Sequence, residues 1–299
     1  MATRPGWRAS AQHALAQVTG FRLVRVHGLP RGRARPPQRP DDRLLPDPVF
    51  LLSSVRSGST LLRALLNAHT DIHSPHETHF RRLQVVPSTP PAHQALTADG
   101  LSIVEAEHLL WDRLLHRSLQ ASGKRVLVEK TPSNVFALER LRTAWPHARF
   151  IFLIRHPLSI AQSWSAPDPR TRPMRRAVPH TLHYLEHLER ARQTVSGVTV
   201  RYEDLTADPE RELRRLCAFL GVDWQVGMLD YGRTQRGPFR PGIGDWSTNI
   251  HSGRVQAARP LPTADEVPEA LTGIARAWGY LDASPAPEPS GRRNASASA

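Results

Sequence analysis

A short polar loop between two apolar runs is the first place in the chain where chemistry could be done. Val49, Phe50, Leu51 and Leu52 form a brief apolar run of the kind buried in a parallel sheet. Residues 53–59 interrupt it with a Gly-containing loop. From Thr60 the pattern turns helical, with Leu61, Leu62, Leu65 and Leu66 on neighbouring turns. Strand, loop and helix N-terminus together suit an anion, because the first-turn N–H groups and the positive end of the helix dipole point into the loop. Arg56 adds a cation, and Ser57, Ser59 and Thr60 add hydroxyls. We read the segment as a phosphate or sulfate cradle. It is not the GxxxxGK[ST] loop of nucleoside-triphosphate enzymes, whose Lys reaches the outer phosphates and whose Ser or Thr holds magnesium. No window of the sequence supplies that pair of glycines and that Lys.

Three further polar residues follow short apolar runs in the same way. Lys130 follows 126–129, Arg155 follows 149–154 and Tyr202 follows 198–201. Glu77 lies in HSPHETHF, downstream of the cradle's helix, and is the candidate to take a proton, with His76 second. His156 sits in the turn before Pro157 with no paired acid in view and reads as structural. No His, Cys or Asp cluster has metal-ligand spacing, so no metal is expected. Lys124 and Lys130 are the only lysines in a chain otherwise supplied with arginine. A retained Lys suggests a place that wants a compact ammonium, although Lys124 reads as a surface residue in the turn SGKR.

The elements that would position these groups alternate. Short strands are expected at 49–52, 71–74, 126–129, 149–154 and 198–201. Helices are expected from Thr60 and at 102–121, 134–145, 158–165, 179–195, 208–220 and 266–278, and also at 9–18 in the leader. In the helix at 102–121, Leu109, Leu110, Leu114 and Leu115 recur on one face. Asp208, Pro209 and Gly221 bracket another helix as N-cap, first residue and terminator. Residues 84–101, 166–179 and 232–262 read as irregular. The alternation argues for an α/β fold with a central parallel β-sheet flanked by helices. Ligands of such sheets bind beyond the carboxyl ends of the strands, so Arg56, Lys130, Arg155 and Tyr202 should converge on one edge.

Composition narrows the class. The 299 residues carry a formal charge of +13, and nine arginines against two aspartates within residues 1–46 concentrate much of it in a leader. That leader is rich in Pro, Gly and Arg, and no aromatic residues interleave with its linker's cations, so it reads as a solvated extension rather than a nucleic-acid arm. Residues 1–47 are expected to be this basic extension, 48–282 one domain, and 283–299 a disordered tail. No stretch reaches the roughly 20 apolar residues of a membrane span, and no signal-peptide pattern opens the chain. The single cysteine, Cys217, lies in an apolar helical run and reads as buried. A cytoplasmic enzyme fits these features.

The order and spacing of the motifs resemble sulfotransferases that use 3′-phosphoadenosine 5′-phosphosulfate (PAPS), over about residues 48–254. The resemblance implies a P-loop-like sulfotransferase fold, related to the P-loop nucleotide hydrolases. It implies that Arg56, Ser57, Gly58, Ser59, Thr60 and Leu61 hold the 5′-phosphosulfate. Arg155 and Ser163, eight residues apart in FLIRHPLSIAQSW, take the place of the family's 3′-phosphate pair. Tyr202 of VRYEDL takes the place of the family's tyrosine near the adenosine. FRPGIGDWS resembles a later family loop and suggests Arg240 and Gly242 as further contacts, but Pro241 stands where the family has Lys and the spacing is one residue short. NAHTDIHSPHETHF resembles a stretch of protein-tyrosine sulfotransferases and puts Glu77 in the place of their general base, with His79 where they have Arg. Lys130 in VEKTP takes the place of their Lys-x-Pro, and with Arg56 it would neutralise charge on the transferring group.

The implied reaction moves a sulfuryl group from PAPS, without a metal, to a hydroxyl acceptor, with Glu77 as base and His76 as the second candidate. A small hydroxylated molecule is the expected acceptor, lined by residues 80–101 and 166–179. Two other readings stay open at this point. One is a P-loop-type kinase or other phosphoryl transferase, for which Glu129 would be the sole candidate magnesium carboxylate. The other is a non-catalytic protein whose basic leader binds nucleic acid or another anion. No specific nucleic-acid partner and no oligomeric state is indicated by the sequence.

Overall fold

Strand β1 (Val49–Ser53) is buried along its whole length, and the fold is arranged around it. In the computed structural model, which describes residues 31–37, 42–234, 250 and 252–282, β1 pairs in parallel with β3 (Val126–Glu129) on one side and β4 (Arg149–Ile154) on the other. β2 (Ile72–His73) and β5 (Val198–Arg201) form the edges, giving a five-stranded parallel sheet in the order β2-β3-β1-β4-β5. Each crossover needs a helix or long connection to return the chain to the same end. The crossovers carry α1 (Ser59–Asn67), α2 (Pro90–Ala98), α3 (Ile103–Ser122), α4 (Leu138–Ala144), α5 (Pro157–Ser165) and α6 (Met174–Thr194), and after β5 come α7 (Tyr202–Ala207), α8 (Pro209–Leu220), α9 (Tyr231–Thr234) and α10 (Glu269–Ala277).

Successive strand residues point to opposite faces, and two cores result. Val49 and Leu51 join Leu62, Leu65, Leu213 and Leu216 beneath α1 and α8. Phe50 and Leu52 join Trp111, Trp145 and Leu185 beneath α3 and α6. A strand buried on both faces has no polar alternation, which is why these strands read as continuous apolar runs.

The structure corrects several expectations from sequence. Residues 90–98, inside the segment expected to be irregular, form α2, because Thr89 Oγ1 accepts from Ala92 N (3.3 Å) and Pro90 and Pro91 sit where a helix has no need of their N–H groups. α6 starts at Met174 rather than Pro179 and carries Pro179 in its second turn. The single helix expected at 134–145 is a 3₁₀ turn (Pro132–Ala137) followed by α4. The expected leucine face of α3 is only partly buried: Leu109 and Leu114 are exposed, while Trp111, Leu115 and Leu119 point inward beside Glu107, His108 and Asp112. Polar residues occupy this stripe because they tie down backbone and side-chain donors. Asp112 accepts from Leu44 N (2.8 Å), Leu45 N (3.1 Å) and Trp145 Nε1 (3.1 Å), and Glu107 pairs with Arg140 (2.9 Å) and Arg31. Lys124 is not a free surface residue, since its Nζ donates to Asn67 O (2.7 Å) and Ile72 O (2.9 Å). The expected leader helix at 9–18, Arg240, Gly242 and the tail from Ala283 lie outside the described residues. Among the described residues no helix is long and apolar enough to cross a membrane.

His108 yields a pH prediction. Burial, reinforced by the charges of Arg140 and Arg43, pushes its imidazole down to about 3. Between about pH 3 and the unfolded value near 6.5 the unfolded chain binds the proton and the folded chain does not, so stability falls as the pH drops through this window. In urea titrations between pH 6.5 and 4.5, the native chain should lose about 1.4 kcal/mol per pH unit more than His108→Leu. Equal slopes for the two proteins would remove His108 as the cause.

Candidate active site

The cradle is held open by backbone that most residues avoid. Arg56 (φ 64°) and His79 (φ 48°) are the non-glycine residues with positive φ among those described, and both lie at the carboxyl edge of the sheet. Such conformations persist only where the surroundings impose them. Gly58 caps α1 at φ 92°, and a Cβ there would meet the Tyr202 ring at 2.2 Å. The loop is braced internally by Ser57 Oγ, which donates to Ser54 O (2.7 Å). The first-turn N–H groups of α1 have no acceptor within the helix.

Two arginines close on this loop. Arg56 Nε donates to the carbonyl and hydroxyl of Ser163, each at 3.2 Å. Arg155 Nη1 donates to Arg56 O (3.0 Å), and its guanidinium lies 4.3 Å from the centre of the Tyr202 ring. Ser163 thus contacts Arg56, and Arg155 holds the loop's backbone. Among the described residues neither guanidinium pairs with a carboxylate, and Arg155 Nε is buried without a partner. Burial, with Arg155 and Arg172 nearby, holds the Arg56 guanidinium below its usual range. Arg155 follows β4 and Tyr202 follows β5, so this cationic cluster occupies one flank of β1.

The other flank carries Lys130, after β3, and Glu77, after β2. Lys130 is 1% exposed and its Nζ donates to Glu77 Oε1 at 2.7 Å. The second oxygen of Glu77 lies 3.3 Å from His79 Nε2. Burial pulls the Lys130 ammonium down from its ordinary value, and the Glu77 charge opposes the shift. His76 is half-buried, next to Glu77 in the chain. His156 caps α5 through Nδ1, which accepts from Ser159 N (3.5 Å), and its ring meets Tyr280 edge-on.

Glu129 is the residue whose place the sequence did not reveal. It is wholly buried, and its oxygens accept from Thr78 Oγ1 (2.7 Å), Thr131 Oγ1 (2.6 Å) and Asn134 Nδ2 (2.5 Å). Burial raises its carboxyl above the usual range. With both oxygens occupied it does not face a metal. Instead it ties the residue after Glu77 to the segment that carries Lys130. Its only sequence signal is a carboxylate at the end of a buried strand followed by Thr131 and Asn134.

Comparison with known proteins agrees with this arrangement. The model of the Sulfotransferase family matches residues 48–226. Nodulation protein NoeE of Sinorhizobium fredii is 29% identical over 217 residues, covering 60% of this chain and 51% of its own length. Protein-tyrosine sulfotransferase 1 of Danio rerio is 27% identical over 207 residues, covering 61% and 55%. The chain thus spans about half the length of these curated relatives. A sulfotransferase domain from the curacin biosynthetic pathway shares the fold, with a TM-score of 0.55 and 22% identity over 79% of this chain and 99% of that domain. The family match runs from the start of β1 past β5 and takes in the cradle, both arginines and the Lys130–Glu77 pair, and the chain belongs to the sulfotransferase family.

Proposed function

We propose that this protein transfers a sulfuryl group from PAPS to a hydroxyl acceptor, with Glu77 as general base. The observation that carries the reading is the pair of guanidinium groups, Arg56 and Arg155, that enclose a helix N-terminus with no carboxylate partner among the described residues. Uncompensated, half-buried cations are costly, and a multiply charged anion would satisfy them through charge-assisted hydrogen bonds. The buried Nε of Arg155 is a donor still to be used, and the absence of a side chain at Gly58 lets the Tyr202 ring pack against the loop.

Bound, PAPS supplies the sulfuryl group and a phosphate leaving group. Residues 56–61 would hold the 5′ end through the loop, the α1 N-terminus and Arg56. Arg155 would take the 3′-phosphate, and Tyr202, packed against both Gly58 and Arg155, would flank the adenosine. Ser163 keeps the Arg56 guanidinium aimed into the loop, and Arg240 is a further candidate contact. On the other flank, Glu77 would accept the acceptor's proton while Lys130 neutralises charge growing on the bridging oxygen. The present Lys130–Glu77 contact, at 2.7 Å, holds the carboxylate beside the ammonium. Domain limits of 48–282 and a cytoplasmic setting are part of the same proposal.

The phosphoryl-transfer reading is disfavoured by Glu129, whose oxygens are taken by Thr78, Thr131 and Asn134. Titration calorimetry separates the two. Adenosine 3′,5′-bisphosphate should bind without magnesium and more tightly than ATP with magnesium, and the reverse order would refute the proposal. Arg155→Ala should weaken bisphosphate binding by about 3 kcal/mol, roughly a hundredfold, since it removes a partner of a buried phosphate. Glu77→Gln should keep the affinity and lower kcat by about 10²–10⁴, the usual worth of a positioned base. Unchanged turnover in Glu77→Gln would shift the role of base to His76.

A further inference from the structure

The cradle and the Lys130–Glu77 pair leave a set of rings at the same edge unexplained. Trp164 directly follows Ser163, the residue that holds Arg56. Its ring stacks on His180 of α6, with centroids 4.5 Å apart and planes 25° from parallel. One turn along α6, His180 lies 5.2 Å from Tyr184. Tyr184 meets Phe136 edge-on at 4.6 Å, and Phe136 belongs to the 3₁₀ turn that follows Lys130. The chain of rings therefore starts beside Arg56 and ends close after Lys130. Each ring is partly exposed, so it is fixed by its neighbours yet able to touch a ligand. Leu185 and Leu188 carry the packing of α6 on the sheet at zero exposure, while Tyr184 and Phe136 pack at the margin of the same core.

A cation stands beside these rings without a counterion. Arg81 follows the buried Phe80 in the 3₁₀ turn after Glu77. Its Nε is buried without a partner, and its guanidinium makes no hydrogen bond or ion pair among the described residues. Arg82 and Arg140 act on it with charge of its own sign. Its turn begins three residues after Glu77, and the charges of both Arg81 and Glu77 act on the Tyr184 phenol.

We propose that Trp164, His180, Tyr184 and Phe136 form the wall on which the acceptor lies, and that the acceptor is an aromatic hydroxyl compound carrying an anionic group read by Arg81. The inference rests on the sulfuryl-transfer reading above. Rings in stacked and edge-on contact present faces and edges that match a flat aromatic ligand better than a flexible alkyl chain. An anion on that ligand supplies the hydrogen-bond acceptor that Arg81 lacks. In the reaction, the acceptor oxygen forms a bond to sulfur and its proton passes to Glu77. The bond from sulfur to the 5′-phosphate oxygen breaks, and its electron pair stays on the phosphate.

The test uses the full chain, radiolabelled PAPS and four acceptors: 4-hydroxyphenylacetate, 4-ethylphenol, tyramine and 6-hydroxyhexanoate. 4-Hydroxyphenylacetate should exceed 4-ethylphenol about tenfold in kcat/KM, the effect of about 1.4 kcal/mol, with tyramine lower still and 6-hydroxyhexanoate lowest. Arg81→Gln should erase the preference for the anionic phenol and leave affinity for adenosine 3′,5′-bisphosphate unchanged. Tyr184→Leu, with Tyr184→Phe as the milder change, should lower kcat/KM for the phenols at unchanged bisphosphate affinity. The proposal is overturned if 6-hydroxyhexanoate matches the phenols or if the charge preference survives Arg81→Gln. It is equally overturned if Arg81→Gln weakens bisphosphate binding, which would place Arg81 at the nucleotide. A protein that binds bisphosphate but sulfates none of the four refutes the acceptor class alone. One that binds no bisphosphate refutes the sulfuryl-transfer reading as well.

Discussion

A buried ammonium sets the terms for one half of the site. Lys130 has almost no contact with water, and desolvation works against its charge. Glu77 at 2.7 Å opposes that loss. Such a pair holds only if its geometry is rigid, because a misaligned buried charge costs several kcal/mol. Glu129 supplies the rigidity. Its hydrogen bonds to Thr78 and Thr131 fasten the residues that follow Glu77 and Lys130 in the chain, so the segments that carry acid and ammonium cannot drift apart. Burial pushes the Glu129 carboxyl up, and the hydroxyls of Thr131 and Thr78 that donate to it work against that rise.

The other half of the site has the opposite character. Around the cradle the chain accumulates positive charge and leaves it uncompensated, and it bends Arg56 into the left-handed region to do so. Both features disfavour folding when considered alone. They are tolerated because β1 is the central strand, paired on both sides and buried on both faces, so the loop that leaves it has little freedom to relax. The sheet order also keeps the two halves apart. β3 and β4 flank β1, so the carboxylate and ammonium stand on one side of the loop and the uncompensated arginines on the other. A ligand spanning the loop would meet a phosphate-seeking surface at one end and a proton acceptor at the other.

Much of this frame was legible in the sequence, for a physical reason. Strands buried on both faces must be apolar throughout, so the runs at 49–52, 126–129 and 149–154 announced themselves, and a parallel sheet sends the residues after them to one edge. Arg56, Lys130, Arg155 and Tyr202 could be placed there without knowing the strand order. Lys130 stood out because an Arg-rich chain had kept a lysine. The same clue failed to be followed at Lys124, whose ammonium fits between the carbonyls of Asn67 and Ile72. What stayed hidden depends on partners far away in the chain. The buried stripe of α3 is polar because Asp112 answers backbone donors at Leu44 and Leu45, and no periodicity in 103–122 encodes that. The contact between Ser163 and Arg56, 107 residues apart, has no local signal either. Glu129 looked like a possible metal ligand until its three donors were visible.

The two sides of the site also differ in how freely they can change. Groups at strand ends sit over a core with essentially no exposure, so replacing them or their supports disturbs packing that the whole sheet shares. The ring face of α6 is partly exposed and packs at the margin of the core that Leu185 and Leu188 fill. Substitutions there alter the shape and polarity offered to an acceptor at small cost in stability, as expected for surface positions away from buried networks. On the proposed reading, a fold built this way would keep one cradle and one base while a helix face and the adjoining turn at Phe80–Arg82 would decide which hydroxyl is presented to them. That division would follow from where the strands end, because the parallel sheet gathers Arg56, Lys130, Arg155 and Tyr202 at its edge and leaves the ring wall to a helix packed across it.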